Sequence, residues 1–182
     1  ITFTFPHIGI VGTNNNDNES KKIYASGCVI NQRIDCYSSW RAEKDLDFFF
    51  KENDIPCISN VDTRYLTRYL SKYGAQKAII VNFGNEEKKF DYLKNELNNW
   101  SGLENLDLAS VVSTEKKIKW NQGTWNIISN SYINKNTAKY TVACFDLGIK
   151  ENILRNLYNL GLKPIVINSK SSVKDILNLK PD

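Results

Sequence analysis

The sequence predicts an α/β protein: a layered mixed sheet-and-helix amino-terminal domain, then the opening strand–helix–strand–helix of a doubly wound parallel sheet. Three observations carry this expectation. Strand-like and amphipathic helical runs alternate along the first two thirds of the chain. Residues 141–179 then read strand, turn, helix, strand, helix, the order in which a parallel sheet is wound. The composition, 41% hydrophobic and 12% aromatic over 182 residues, is enough apolar material for a packed core.

The elements follow in order. Residues 1–5 alternate apolar residues with threonine before Pro6, which predicts a short strand entering a loop. Residues 9–20 are rich in Gly, Asn and Asp and form an exposed turn region. A strand is expected around Gly27, over 25–30. Leu46, Phe49 and Phe50 at i, i+3, i+4 spacing predict a helix within 42–53, and 55–61 is a short apolar stretch broken by Pro56. The clearest helix comes next. Asp62 is its N-cap, Leu66, Tyr69, Leu70 and Tyr73 form one stripe to be buried, and Gly74 is the left-handed stop. Residues 77–83 predict a buried strand, 86–99 an amphipathic helix and 120–128 a late strand.

Residues 129–139 are polar and lack apolar periodicity, so they are the expected linker between a domain at 1–128 and a second at 140–182. In the second domain, 141–145 is a strand, Asp146-Leu147-Gly148 a turn and 149–160 a helix stopped by Gly161. A strand at 164–167 and a helix at 173–179 follow. Two strands do not cover both faces of a doubly wound sheet, so this domain is expected to be incomplete. The chain opens inside a strand-like run without Met and stops at Pro181-Asp182, and both ends read as cuts through structure.

A formal charge of +4, with basic and acidic residues interleaved as in Glu86-Glu87-Lys88-Lys89, lacks the clustered basic face of a nucleic-acid binder. No run approaches the roughly 20 apolar residues that cross a bilayer, and no signal-peptide pattern opens the chain. No nucleic acid, no membrane and a cytoplasmic location are the expectations. Cys28, Cys36, Cys57 and Cys144 are far apart and accompanied by one histidine, His7, so a structural metal is not expected. Free, mostly buried thiols are.

Seven runs then bear on family. They are Phe3-Thr4-Phe5-Pro6-His7-Ile8-Gly9 with Gly12-Thr13-Asn14; Ser39-Trp40-Arg41-Ala42-Glu43; Asp62-Thr63-Arg64-Tyr65-Leu66-Thr67-Arg68; and Gly74-Ala75-Gln76. Asp107-Leu108-Ala109, Trp120-Asn121-Gln122-Gly123-Thr124-Trp125 and Phe145-Asp146-Leu147-Gly148-Ile149-Lys150 with Asn152-Ile153-Leu154-Arg155 complete the set. In order and spacing the chain resembles the small, glutamine-hydrolysing subunit of carbamoyl-phosphate synthase, from its amino-terminal domain into the start of its class I glutamine amidotransferase domain.

The resemblance implies an enzyme that hydrolyses glutamine at a cysteine–histidine–glutamate site and passes ammonia to a large subunit. There bicarbonate and ATP yield carbamoyl phosphate for arginine and pyrimidine synthesis. It implies the large subunit as partner, L-glutamine as substrate of the full-length protein, and ATP with a divalent metal on the large subunit, with no cofactor in this chain. The alternative is a non-catalytic docking module for such a subunit. Thiolate attack on an amide needs a cysteine at a sharp strand-to-helix turn, a base beside it and backbone donors for the oxyanion. The family's G-x-C-x-G elbow and N-G-P-G loop are absent from these residues. No catalytic, glutamine-binding or metal residue is therefore assigned, and the 182 residues are expected to be inactive alone.

Two single residues and one turn read as structural: His7 as a hydrogen-bonded turn histidine, Cys144 as a core thiol inside a strand, and Asp146-Leu147-Gly148 as a turn lacking the glycines of a dinucleotide loop. Arg64, Arg68 and Lys72 at i, i+4, i+8 form a basic stripe, expected to lie opposite the Leu66, Tyr69 and Tyr73 face. A solvated face is the usual meaning of such a stripe. The resemblance makes Arg64 and Arg68 equally candidates for a contact with the large subunit.

Overall fold

A computed structural model describes residues 1–84, 90–134 and 138–182 as a mixed α/β chain with small sheets and six α-helices among the described residues. The chain divides into two compact units: residues 1–18 with 22–104, and residues 19–21 with 105–182.

In the first unit, a 3₁₀ turn at Asn15–Asp17 is capped by the side chain of Asn14. Strand β1 (Cys28–Val29) and helix α1 (Leu46–Glu52) follow, the helix capped by Asp45, whose carboxylate accepts from the Phe48 amide at 2.6 Å. Strand β2 (Cys57–Ile58) pairs parallel with β1, placing Cys28 beside Cys57 and Val29 beside Ile58. Helix α2 (Thr63–Tyr73) starts where Asp62 accepts from the Tyr65 amide at 2.8 Å and stops at Gly74, whose φ of +81° suits a residue without Cβ. Helix α3 (Phe90–Asn99) lies within the expected 86–99 helix, whose first residues fall outside the described ones. Among the described residues of this unit the buried ones are Gly27, Cys28, Ile30, Phe50 and Thr63.

Two expected strands are corrected. Residues 1–5 form only a bridge, Thr2 to Val29, with the Phe3 amide donating to the Val29 carbonyl at 3.0 Å. Pro6 has no N–H with which to extend the ladder. Residues 77–83 form no strand, and Ile79 and Val81 are exposed. Strand propensity alone does not make a strand where no ladder of backbone hydrogen bonds forms. Lys77 instead donates to the Asn98 and Trp100 carbonyls at the end of α3, where a cation suits the helix dipole.

In the second unit, helix α4 (Leu108–Val112) is capped by Asp107, and β3 (Ile118–Lys119), β4 (Trp125–Asn126) and β5 (Ser131–Tyr132) follow. The single strand expected over 120–128 is corrected. The Trp120 ring N–H turns back to the Gln122 carbonyl at 2.5 Å, and only β4 is extended, pairing antiparallel with β5. Strand β5 falls within the 129–139 segment, of which 135–137 lie outside the described residues.

Then come β6 (Tyr140–Asp146), α5 (Glu151–Asn159), β7 (Leu162–Asn168) and α6 (Val173–Leu177). Strands β6 and β7 run parallel in register from Tyr140 beside Leu162 to Asp146 beside Asn168, with α5 as the crossover. Strand β3 adds antiparallel to the other side of β7, so the sheet order is β3-β7-β6 and the sheet is mixed. Cys144, Leu154 and Val166 form the centre of the core, with Ile118, Trp120, Val142, Ile149 and Leu157 packed against them.

Candidate functional site

Helix α2 needs a face toward its unit, and the residues that supply it are Thr63, which is buried, with Leu66, Thr67 and Leu70, which are half-buried. That corrects the expected stripe. Tyr69 and Tyr73 are 42% and 56% exposed, and Tyr65 is 68% exposed. The three tyrosines stand at i, i+4, i+8, beside the row of Arg64, Arg68 and Lys72 rather than opposite it. Tyrosine counts as apolar when periodicity is read, yet its hydroxyl lets it remain in water.

Together with Asp62, the two rows line a concave surface of about 650 Å³. The Tyr69 and Tyr73 rings are 4.6 Å apart at 45°, and the Lys72 ammonium sits 4.9 Å from the Tyr73 ring centre. Among the described residues no carboxylate lies within ion-pair distance of Arg64, Arg68 or Lys72. Arg64 and Arg68 thus lie one helical turn apart on one exposed face. The tyrosine row was legible as its own i, i+4, i+8 spacing from Tyr65, but only if the rings are allowed to face water.

The other singled-out residues have structural surroundings. His7 Nδ1 lies 3.2 Å from the Gln32 amide nitrogen, and its ring meets the Phe5 ring edge-on at 5.8 Å. Cys144 is buried in the β6–β7 core, and burial pushes its thiol above the ordinary range, the reverse of what a nucleophile needs. The Asp146 carboxylate closes its turn by accepting from the Gly148 and Ile149 amides, each at 3.1 Å, and from the Thr114 amide at 2.7 Å. Of the four thiols, Cys28 and Cys144 are buried while Cys36 and Cys57 are exposed, so the expectation of mostly buried thiols holds for two.

Arg155 is a residue that pattern reading passes over. It is 5% exposed on α5, and its guanidinium donates to Glu151 at 2.6 Å and lies 3.7 Å from Glu19. Glu19 also starts α5. Its backbone carbonyl accepts from the Glu151 amide at 3.1 Å and its side chain from the Asn152 amide at 2.8 Å, where Lys150 provides no side-chain cap. The local signal was Glu151 four residues before Arg155. The distant acid has no sequence signature.

Among the described residues no cluster of His, Cys, Asp and Glu could hold a metal ion. No helix among them is long and apolar enough to cross a membrane.

Residues 1–80 match the family model described as carbamoyl-phosphate synthase small chain, CPSase domain. The carbamoyl phosphate synthase small chain of Buchnera aphidicola subsp. Acyrthosiphon pisum is 41% identical over 186 residues, covering 100% of this chain and 47% of that protein. The small chains of Zymomonas mobilis and Brucella ovis are 36% and 38% identical, each over 100% of this chain and over 49% and 46% of their own length. Along its whole length the chain is similar to carbamoyl phosphate synthase small chains. It spans about half the length of the curated relatives it matches.

Proposed function

We propose that these residues are part of a glutamine-hydrolysing small subunit that supplies ammonia to a large subunit for carbamoyl phosphate synthesis. In this reading, 1–128 is the small-subunit amino-terminal domain, 129–139 the linker, and 140–182 the beginning of the amidotransferase domain. The full-length protein takes L-glutamine, and the large subunit takes bicarbonate and ATP with its divalent metal. The observation that carries the reading is the identity of 36–41% to small chains along the entire chain.

The chemistry of these residues fits a supporting role. Amide hydrolysis by a thiol needs an accessible thiolate beside a base. Cys144 has a core position and a raised pKa, and His7 is paired with Gln32 rather than with a thiol. The glutaminase chemistry is therefore assigned to the full-length protein and not to residues 1–182.

The test combines full-length protein with its large subunit and measures carbamoyl phosphate made from glutamine and, separately, from ammonia. Synthesis from both is expected, while residues 1–182 alone release no ammonia from glutamine. Binding to the large subunit without glutamine-dependent synthesis would replace this reading with that of a docking module. Ammonia release by residues 1–182 that disappears in Cys144→Ala would overturn the placing of the chemistry elsewhere.

A further inference from the structure

Resting on that reading, we propose that the exposed face of α2 seats an acidic segment of the large subunit: carboxylates about one helical turn apart, with an apolar side chain lying between them. Arg64, Arg68 and Lys72 succeed one another at a rise of about 6 Å, which matches carboxylates at i, i+4, i+8 of a helix laid alongside. The other three arginines all meet acids: Arg33 pairs with Asp35 and Asp47, Arg41 with Asp17, and Arg155 with Glu151 and Glu19. The α2 row does not, and the acid nearest it in sequence, Asp62, is committed to the Tyr65 amide. Charge complementarity therefore calls for carboxylates from outside this face. Two guanidiniums offer them planar, bidentate donors.

A merely solvated basic face has no use for Tyr65, Tyr69 and Tyr73. Each tyrosine ring carries an area of roughly 150–250 Å² that is better removed from water. Tyrosine and arginine are the residues enriched at the centres of interfaces, and here they form parallel rows along a concave surface of about 650 Å³. The arginines thus fix orientation, and the tyrosines take the apolar contact.

The experiment measures the affinity of full-length protein for the large subunit at about 50 mM and about 300 mM salt, either side of physiological screening. Arg64→Ala with Arg68→Ala should weaken binding about 10-fold or more at low salt and flatten the salt dependence. Arg64→Lys with Arg68→Lys keeps the charge without the fork and should fall between. Tyr69→Ala should weaken binding at both salts. Carbodiimide treatment should join the Lys72 ammonium by an amide bond, with loss of water, to an Asp or Glu of the large subunit, located by mass spectrometry. A complex that forms with unchanged affinity and salt slope in all three variants overturns the inference and leaves the functional reading standing. Wild-type protein that does not bind the large subunit overturns both. Circular dichroism of each variant excludes loss of fold as the cause.

Discussion

The guanidinium carbon of Arg155 lies 4.6 Å from the centre of the Tyr132 ring, so a buried cation on α5 rests on an aromatic ring from β5. The Trp120 ring is 5.8 Å away, and Glu151 and Glu19 supply the counter-charge. Removing a charge from a buried pair leaves the partner uncompensated, at a cost of about 3–5 kcal/mol. Glu151 and Glu19 keep 28% and 41% of their side-chain exposure and can rehydrate. Arg155→Met should therefore cost about 3 kcal/mol, the low end of that range. Arg155→Lys should recover less than half of it, because an ammonium cannot stack flat and reach two acids together. Urea unfolding followed by tryptophan fluorescence gives both values.

Asp146 serves three amides at once, two in its own turn and one at Thr114. Hydrogen bonds to a charged acceptor contribute about 1.5–3 kcal/mol each, though not additively. Asp146→Ala should destabilise by about 3 kcal/mol, and Asp146→Asn by less, since its amide retains one acceptor oxygen. Hydrogen exchange should locate the change at the Thr114, Gly148 and Ile149 amides.

Gly123 is required for space, not for its backbone angle. A Cβ there would collide with Asn159 Oδ1 and come within 3.1 Å of Ile133, while the Gly123 amide donates to the Ile133 carbonyl at 2.7 Å. Gly123→Ala should cost about 1–3 kcal/mol, the range for overpacking. Adding Asn159→Ala should recover part of that loss, although Asn159 also donates to Thr124 Oγ1 at 2.6 Å. A double-mutant cycle in urea measures the coupling.

Cys57 is exposed as a residue, yet packing around its sulfur raises the thiol to about 11, with Cys28 and Asp47 nearby adding to the effect. An unfolded thiol ionises near 8.5. The folded state therefore favours the protonated form, and its contribution to stability is full below about pH 8.5 and lost as pH rises toward 11. At about pH 8, iodoacetamide should modify Cys57 on the order of 100-fold more slowly than in urea-unfolded chain, reflecting its smaller thiolate fraction. Peptide mapping by mass spectrometry reads this out, and equal rates would contradict the raised value.

How much of this was legible depended on whether the deciding partner was local. Asp62 and Gly74 marked α2 because a cap acts on amides three residues away and a left-handed stop acts on its own residue. The β6–α5–β7 crossover was legible from runs bounded by Gly148 and Gly161. Residues 77–83 misled because strand propensity describes a surface that fits a sheet, and these residues pair with no strand among the described residues. The spacing of Arg64 and Arg68 could be read directly. Which residues shared their face could not, because the helix buries Thr63 and leaves Tyr69 and Tyr73 in water.

Glu19 makes the second unit discontinuous in sequence. A polypeptide beginning at Asn105 would hold every strand and helix of that unit and still lack the acid that starts α5 and faces Arg155. Excision at the boundary between the units would leave the first amides of α5 without partners and a buried cation with half its counter-charge. During synthesis the order runs the other way: Glu19 emerges well before the helix that needs it. The second unit therefore inherits part of its stability from a residue made well before the rest of it, and stability changes at Glu19 should register in its unfolding.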